Sequence, residues 1–187
     1  MPRLFIGLEL NEQLLEETEI LRGGLPHARW QRDDQLHITL AFIGDVHGGL
    51  AREISQELGR IQFTPFEVKL SGVGYFGKED QPKILYAGLE SPTAVQHLHD
   101  KITNALRRID VPVDNRKFKP HCTLARFRKG TKLHIGAWLG ANAAFLSSAL
   151  KVRHFTLFQS HLTSEGSYYE PLENYDGEFY DYAVPSE

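Results

Sequence analysis

The residues of this chain whose types and spacing could do chemistry are two His-x-Thr pairs. His37 and Thr39 stand in Leu36–Ile43, LHITLAFI, and His121 and Thr123 in Phe118–Phe127, FKPHCTLARF. Both stretches read as strands. Strand side chains alternate with period two, so each imidazole shares a face with its hydroxyl, roughly 7 Å away at Cα. Pro120 disfavours a helical Lys119 and supports an extended entry to the second strand. Laid side by side, two such strands put two histidines and two hydroxyls around one cleft, where they could converge on one oxyanion.

The bare pattern does not choose its own members. His-x-Thr occurs at His37, His121, His154 and His161, where chance in a chain of this composition gives roughly 0.4. Context separates them: only His37 and His121 continue into Leu-Ala, and they hold matching places in two apparent halves. His154, beside Arg153, reads as an ordinary strand histidine, and His161 as a solvated residue before a turn. Other clusters fall away. Gly72-Val-Gly74-Tyr-Phe-Gly77 has glycines at dinucleotide-loop spacing, but no helix opens after it, so it reads as a turn. His97 and His99 beside Asp100 are two apart on a helix and do not share a face, which makes them solvated surface rather than metal ligands. Cys122 points away from His121, so a Cys-His dyad is not expected and a buried core thiol is.

At 187 residues the chain suits one domain or two closely joined lobes. Its net charge of −3 argues against a general nucleic-acid coat protein. Basic residues nonetheless gather near the second motif: Arg107, Arg108, Arg116, Lys117, Lys119, Arg126, Arg128, Lys129 and Lys132 are met only by Asp110 and Asp114. Beside a His-x-Thr strand that charge points to an anionic ligand. The single cysteine excludes an intrachain disulfide and a cysteine zinc cluster. Met1–Leu10 is strand-like rather than a signal peptide, and no apolar run approaches the ~18 residues of a membrane span. A cytoplasmic protein is the expectation.

The elements that must position the pairs follow in order. Leu4–Leu10 reads as a strand, then a helix capped by Asn11 with Leu14, Leu15, Thr18 and Leu21 at helical spacing, stopped by Gly23-Gly24. After the first motif strand, Leu50, Ile54, Leu58 and Ile61 mark a second helix, and Pro65–Tyr75 with Lys83–Leu89 a hairpin. A helix starting at Ser91-Pro92 carries Val95, Leu98, Ile102, Ala105, Leu106 and Ile109. Val111–Lys117 is a loop before the second motif strand. Trp138–Leu150 reads as a weak helix, and Leu150–Leu162 with Tyr168–Leu172 as a last hairpin. The order repeats in halves, a coarse duplication that implies α+β lobes rather than a doubly wound parallel sheet.

With those elements in place, His37-Ile-Thr39-Leu40 and His121-Cys-Thr123-Leu124 resemble the paired His-x-Thr-x signatures of the two-histidine phosphoesterase superfamily. Within it, the RNA 2′,3′-cyclic phosphodiesterase branch, also called 2′-5′ RNA ligase, is the nearest in pattern. The likeness takes in RLFIGLEL, LHITLAFIGD, ILYAGLE, FKPHCTLARF, FTLFQSHL and Tyr168–Pro171. It implies a bilobal, pseudo-twofold α+β fold, with antiparallel sheets lining a central cleft and helices outside. It also implies a single domain over 1–187, each lobe giving one motif strand, and metal-independent chemistry without a cofactor. The implied substrate is RNA ending in a 2′,3′-cyclic phosphate, or a nucleoside 2′,3′-cyclic phosphate, with a monomer as the expected state.

Opening a cyclic phosphodiester needs an activated water on one side and a protonated leaving oxygen on the other. Two histidines near their ordinary pKa of about 6.5 can hold opposite protonation states and do both. By the resemblance, His37 is the proton donor to the O3′ leaving group and His121 the acceptor that activates water, leaving a 2′-phosphate. Thr39 and Thr123 donate to the non-bridging oxygens. Arg126 completes His-x-Thr-Leu-Ala-Arg and is a candidate phosphate contact, although alternation sends it away from His121 unless the strand twists or bulges. Phe42 holds the matching place in the first motif and is expected in the core. Phe5 and Trp30 could stack on a base, but packed core rings are expected for both. The alternatives are the same chemistry on ADP-ribose cyclic phosphate or 2′-5′ oligoadenylate, and a non-catalytic RNA- or nucleotide-binding module on this scaffold.

Overall fold

A computed structural model describes residues 1–164 and 166–178, and the expected 1–187 domain and the Thr163–Ser167 turn therefore run partly outside the described residues. The first strand, β1, spans Arg3–Glu9. Asn11 then caps α1 (Glu12–Thr18), its side-chain oxygen accepting from the Leu14 amide at 3.0 Å. The chain continues through β2 (Arg29–Trp30), β3 (His37–Asp45), α2 (Gly48–Leu58), and the β4 (Phe66–Lys78) and β5 (Gln81–Glu90) hairpin. It ends with α3 (Thr93–Arg108), β6 (Cys122–Arg126), α4 (Gly136–Asn142), β7 (Leu150–Val152), β8 (His154–Thr163) and β9 (Gly166–Asp176).

Among the described residues the strands form a sheet in the order β7-β4-β5-β6-β3-β1-β8-β9, with β2 paired to β6, and every pairing is antiparallel. The fold is α+β, as the sequence implies. The two motif strands are neighbours in the middle of this order, paired at Ile38 and Cys122. On the back of these strands Ile38, Leu40, Cys122 and Leu124 are all at most 1% exposed, each aliphatic side chain contributing about 1.5–3 kcal/mol on burial. Helix α3 packs across β3 and against α2. Its apolar stripe, Val95, Leu98, Ile102, Ala105 and Leu106, is buried there.

Both motif strands carry the same irregularity. Gly7 pairs with Thr39 and Ile6 with Ala41, so Leu40 is an extra residue in β3. Tyr86 pairs with Thr123 and Leu85 with Ala125, so Leu124 is an extra residue in β6. A bulge inserts one residue and resets alternation. Leu-Ala therefore turns inward in both strands and the next residue, Phe42 or Arg126, turns out.

Several segments differ from their sequence reading. The second motif strand begins at Cys122, not Phe118, because Lys119 lends its carbonyl to the His121 ring rather than to a ladder. The helix expected over Trp138–Leu150 stops at Asn142: Ser147 bonds both backbone groups of Leu70 in β4, and Leu150 opens β7 beside that strand. Gly72–Gly77 is not a turn but lies inside β4. Gly74 is there because of a close approach: a Cβ on it would sit 2.5 Å from the Tyr86 ring and hydroxyl. His161 lies within β8 and pairs with Glu170 at 2.8 Å, not in a solvated loop. No helix among the described residues is long and apolar enough to cross a membrane.

Candidate active site

His37 opens β3 directly after a 3₁₀ turn at Asp33–Gln35. Its Nδ1 lies 2.7 Å from the Gln35 carbonyl; a carbonyl only accepts, so Nδ1 carries the proton and Nε2 is the free base. The Thr39 hydroxyl donates to Nε2 at 2.9 Å. The Gln35 side chain is buried and itself fixed, accepting from the Arg32 amide at 3.0 Å and donating to the Ser167 carbonyl of β9 at 2.7 Å.

His121 repeats the arrangement just ahead of β6: Nδ1–H donates to the Lys119 carbonyl at 2.7 Å, again two residues back. Antiparallel pairing about Ile38 and Cys122 sets His37 across from Thr123 and Thr39 across from His121. The two histidines are then diagonal neighbours, roughly 7–8 Å apart on the backbone. The structure thus brings His37, Thr39, His121 and Thr123 to one face of two adjacent strands.

Aromatic rings pack both imidazoles. Phe5 and Tyr169 lie 4.9 and 5.1 Å from His37, and Phe76 and Tyr86 lie 4.9 and 5.2 Å from His121. The Lys119 ammonium sits 5.0 Å over the Tyr86 ring. Burial among these rings disfavours the imidazolium and holds both pKa values down, His37 to about 4. The carbonyl bonds act the other way, and the Arg126 charge lowers both further. The expectation of two ordinary histidines near 6.5 is corrected: both rings are depressed in the free protein.

A recess of about 340 Å³ opens beside His37 and Thr39, lined also by Arg3, Phe42, Arg126 and Tyr169. The bulge in β6 therefore carries Arg126 onto the side of the histidines, overriding plain alternation. The matching bulge corrects Phe42 as well: it is 50% exposed rather than core, with the Arg3 guanidinium 5.1 Å over its ring. Trp30 packs on Trp138 against the core, as expected, whereas Phe5, though buried, lies against His37 and lines the recess. Cys122 is fully buried, and its thiol is pushed up to about 12. No three His, Cys, Asp or Glu side chains gather as a metal cluster among the described residues.

No local pattern marks Phe76, Tyr86 and Tyr169, which reach the site from β4, β5 and β9. Gln35 is close to His37 in the chain, but its bond to Ser167 of β9 is a tertiary one. The bulges did leave a trace: Leu40-Ala41 and Leu124-Ala125 each put two apolar residues where alternation calls for one.

A chain with this sheet and these paired motifs is a phosphoesterase of the two-histidine kind. It belongs to the LigT like Phosphoesterase family, whose model matches residues 8–86 and 89–169. It is 30% identical to an RNA 2′,3′-cyclic phosphodiesterase of Aeropyrum pernix over 158 residues, covering 81% of this chain and 90% of the relative. A crystal structure of a Thermus thermophilus protein superposes with a TM-score of 0.79 at 25% identity, covering 95% of this chain and all of that one. E. coli LigT, solved in complex with 3′-AMP, shares the fold at a TM-score of 0.75 and 24% identity, covering 94% of this chain and 98% of LigT.

Proposed function

We propose that this chain hydrolyses 2′,3′-cyclic phosphates at RNA ends or on nucleotides, leaving 2′-phosphates, and, when a 5′-hydroxyl takes the place of water, joins RNA ends reversibly through a 2′-5′ linkage. The observation that carries this is the repeated histidine geometry. Each imidazole donates a hydrogen bond from Nδ1–H to the carbonyl two residues back, so each Nε2 is left as the unprotonated nitrogen on one face of paired strands, that of His37 accepting from Thr39. The name carried by its relatives supports the substrate class.

In this scheme the cyclic phosphate sits between the two rings. Thr39 and Thr123 donate to its non-bridging oxygens and Arg126 offsets its charge. His121 Nε2 takes a proton from water as the water attacks phosphorus. The P–O3′ bond breaks, and the electron pair leaves on O3′. His37 Nε2–H gives O3′ its proton, and the product keeps the phosphate on O2′. His37 must be protonated to act, although burial holds its pKa at about 4 in the free protein. An anionic phosphate beside the ring favours the imidazolium and restores the proton as substrate binds. The two halves, each giving one motif strand, work as quasi-repeats of a single domain. The protein acts as a monomer in the cytoplasm.

The deciding experiment is turnover of 2′,3′-cyclic AMP and of an RNA ending in a cyclic phosphate, with EDTA present and the product assigned by phosphorus NMR. A 2′-phosphate is the expected product. Faster turnover of ADP-ribose cyclic phosphate or 2′-5′ oligoadenylate would reassign the substrate, and binding without turnover would make the chain a nucleotide-binding module.

A further inference from the structure

His99 lies on neither motif strand, yet it touches β3 and the segment that leads into β6. It sits mid-way along α3 with a half-buried ring, while His97 is exposed on another side of the helix. The expectation that both are solvated surface holds for His97 and fails for His99. Its Nδ1–H donates to the Leu40 carbonyl at 2.7 Å. Its ring lies flat on Phe118, centroids 3.8 Å apart and planes 3° from parallel. Leu40 follows Thr39 and is the extra residue of the β3 bulge. Phe118 precedes Lys119, whose carbonyl holds the His121 ring.

We propose that His99 is a positioning residue for the reaction: it clamps the backbone at Phe118 to the strand that carries His37, and so fixes the orientation of His121. This rests on His121 being one of the two reacting imidazoles. The clamp is needed because residues 112–121 belong to no helix or strand. A groove of about 580 Å³ between α3 and this segment, lined by Asp100, Arg107, Arg116 and Phe118 among others, keeps its outer side in water. Packing from outside therefore does not hold Phe118 in place. Phe118 is partly buried against the core from inside, and the flat stack on His99 with the bond to Leu40 is what ties it to β3. Coupling runs from the Leu40 carbonyl through the His99 ring to Phe118, then across one peptide to the Lys119 carbonyl and His121.

The test uses kcat, KM and the pH profile of kcat/KM on 2′,3′-cyclic AMP for His99→Ala, Phe118→Ala, His99→Phe and His121→Ala. Both alanine variants of the clamp are expected to lose about 10²-fold in kcat, the cost of displacing a catalytic group by ~1 Å, with little change in KM. The double variant is expected to lose no more than the worse single one, because both break one device. His99→Phe keeps the stack but loses the bond to the Leu40 carbonyl, so it is expected to recover only part of kcat.

The pH profile separates positioning from loss of fold. The Lys119 carbonyl bond raises the His121 pKa against burial and the charges of Arg126 and Lys119. Around that ring stand Lys119 and Arg126, with His37 from β3 and Tyr86 from β5. Loosening the bond lowers the His121 pKa, so the limb on which His121 must be neutral moves to lower pH. Unchanged kcat and unchanged limb in Phe118→Ala overturn the clamp, and this variant decides even where His99→Ala fails to fold. If His121→Ala is inactive while the clamp variants retain kcat, only this inference falls. If His121→Ala turns over normally, the assigned chemistry falls with it.

Discussion

The two halves of the cleft present the same atom by the same device and support it differently. His37 hangs from a carbonyl whose own residue, Gln35, is buried and bonded to the backbone on two sides. His121 hangs from a carbonyl on an irregular segment, tied down by the stack of Phe118 on His99. The bulges that follow diverge too: one half turns out Phe42, the other Arg126. A repeated local device, a carbonyl bond and a bulge, fixes where two imidazoles stand, and what surrounds each then makes the sides chemically unequal. One side is built into the core. The other is held at its surface.

The largest test of that contrast is removal of either imidazole. His37→Ala and His121→Ala should each lower kcat by about 10²–10⁴-fold, the typical worth of a positioned acid or base, with near-native circular dichroism. Next come Thr39→Val and Thr123→Val, each expected to cost about 10²–10³-fold in kcat as an oxyanion donor is lost.

Gln35→Leu should separate the two kinds of support. It strands the Ser167 carbonyl and the Arg32 amide, so it should cost about 1–3 kcal/mol in urea unfolding as well as activity. Phe118→Ala should lower kcat with far less loss of stability. Equal destabilisation by the two would break the comparison.

Two pH effects are smaller. Arg126→Gln removes a cation that lowers both histidines, so the kcat/KM profile should move to higher pH while KM rises. Stability should also carry the mark of His37. Its pKa is about 4 when folded and about 6.5 when unfolded, so its neutral form stabilises the fold fully above pH 6.5. That contribution, on the order of 3 kcal/mol, is lost as pH falls from about 6.5 towards 4. A His37→Phe variant should lose less stability over that interval.

The sequence by itself determined the strand motifs, the Asn11 cap, the α3 stripe and the α+β class, because each rests on local periodicity, element order or a local hydrogen bond. It also singled out the four motif residues, since a repeated context is visible in letters alone. Only the tertiary structure decided what surrounds them. Arg126 and Phe42 reach the cleft because a bulge, set by the neighbouring strand, resets alternation. His99 is a clamp because a helix from between the halves crosses β3 where Phe118 also lands. Both histidines are depressed because rings from β1, β4, β5 and β9 exclude water from them. Strand neighbours, helix crossings and desolvation are relations between residues far apart in the chain, and no local pattern encodes them.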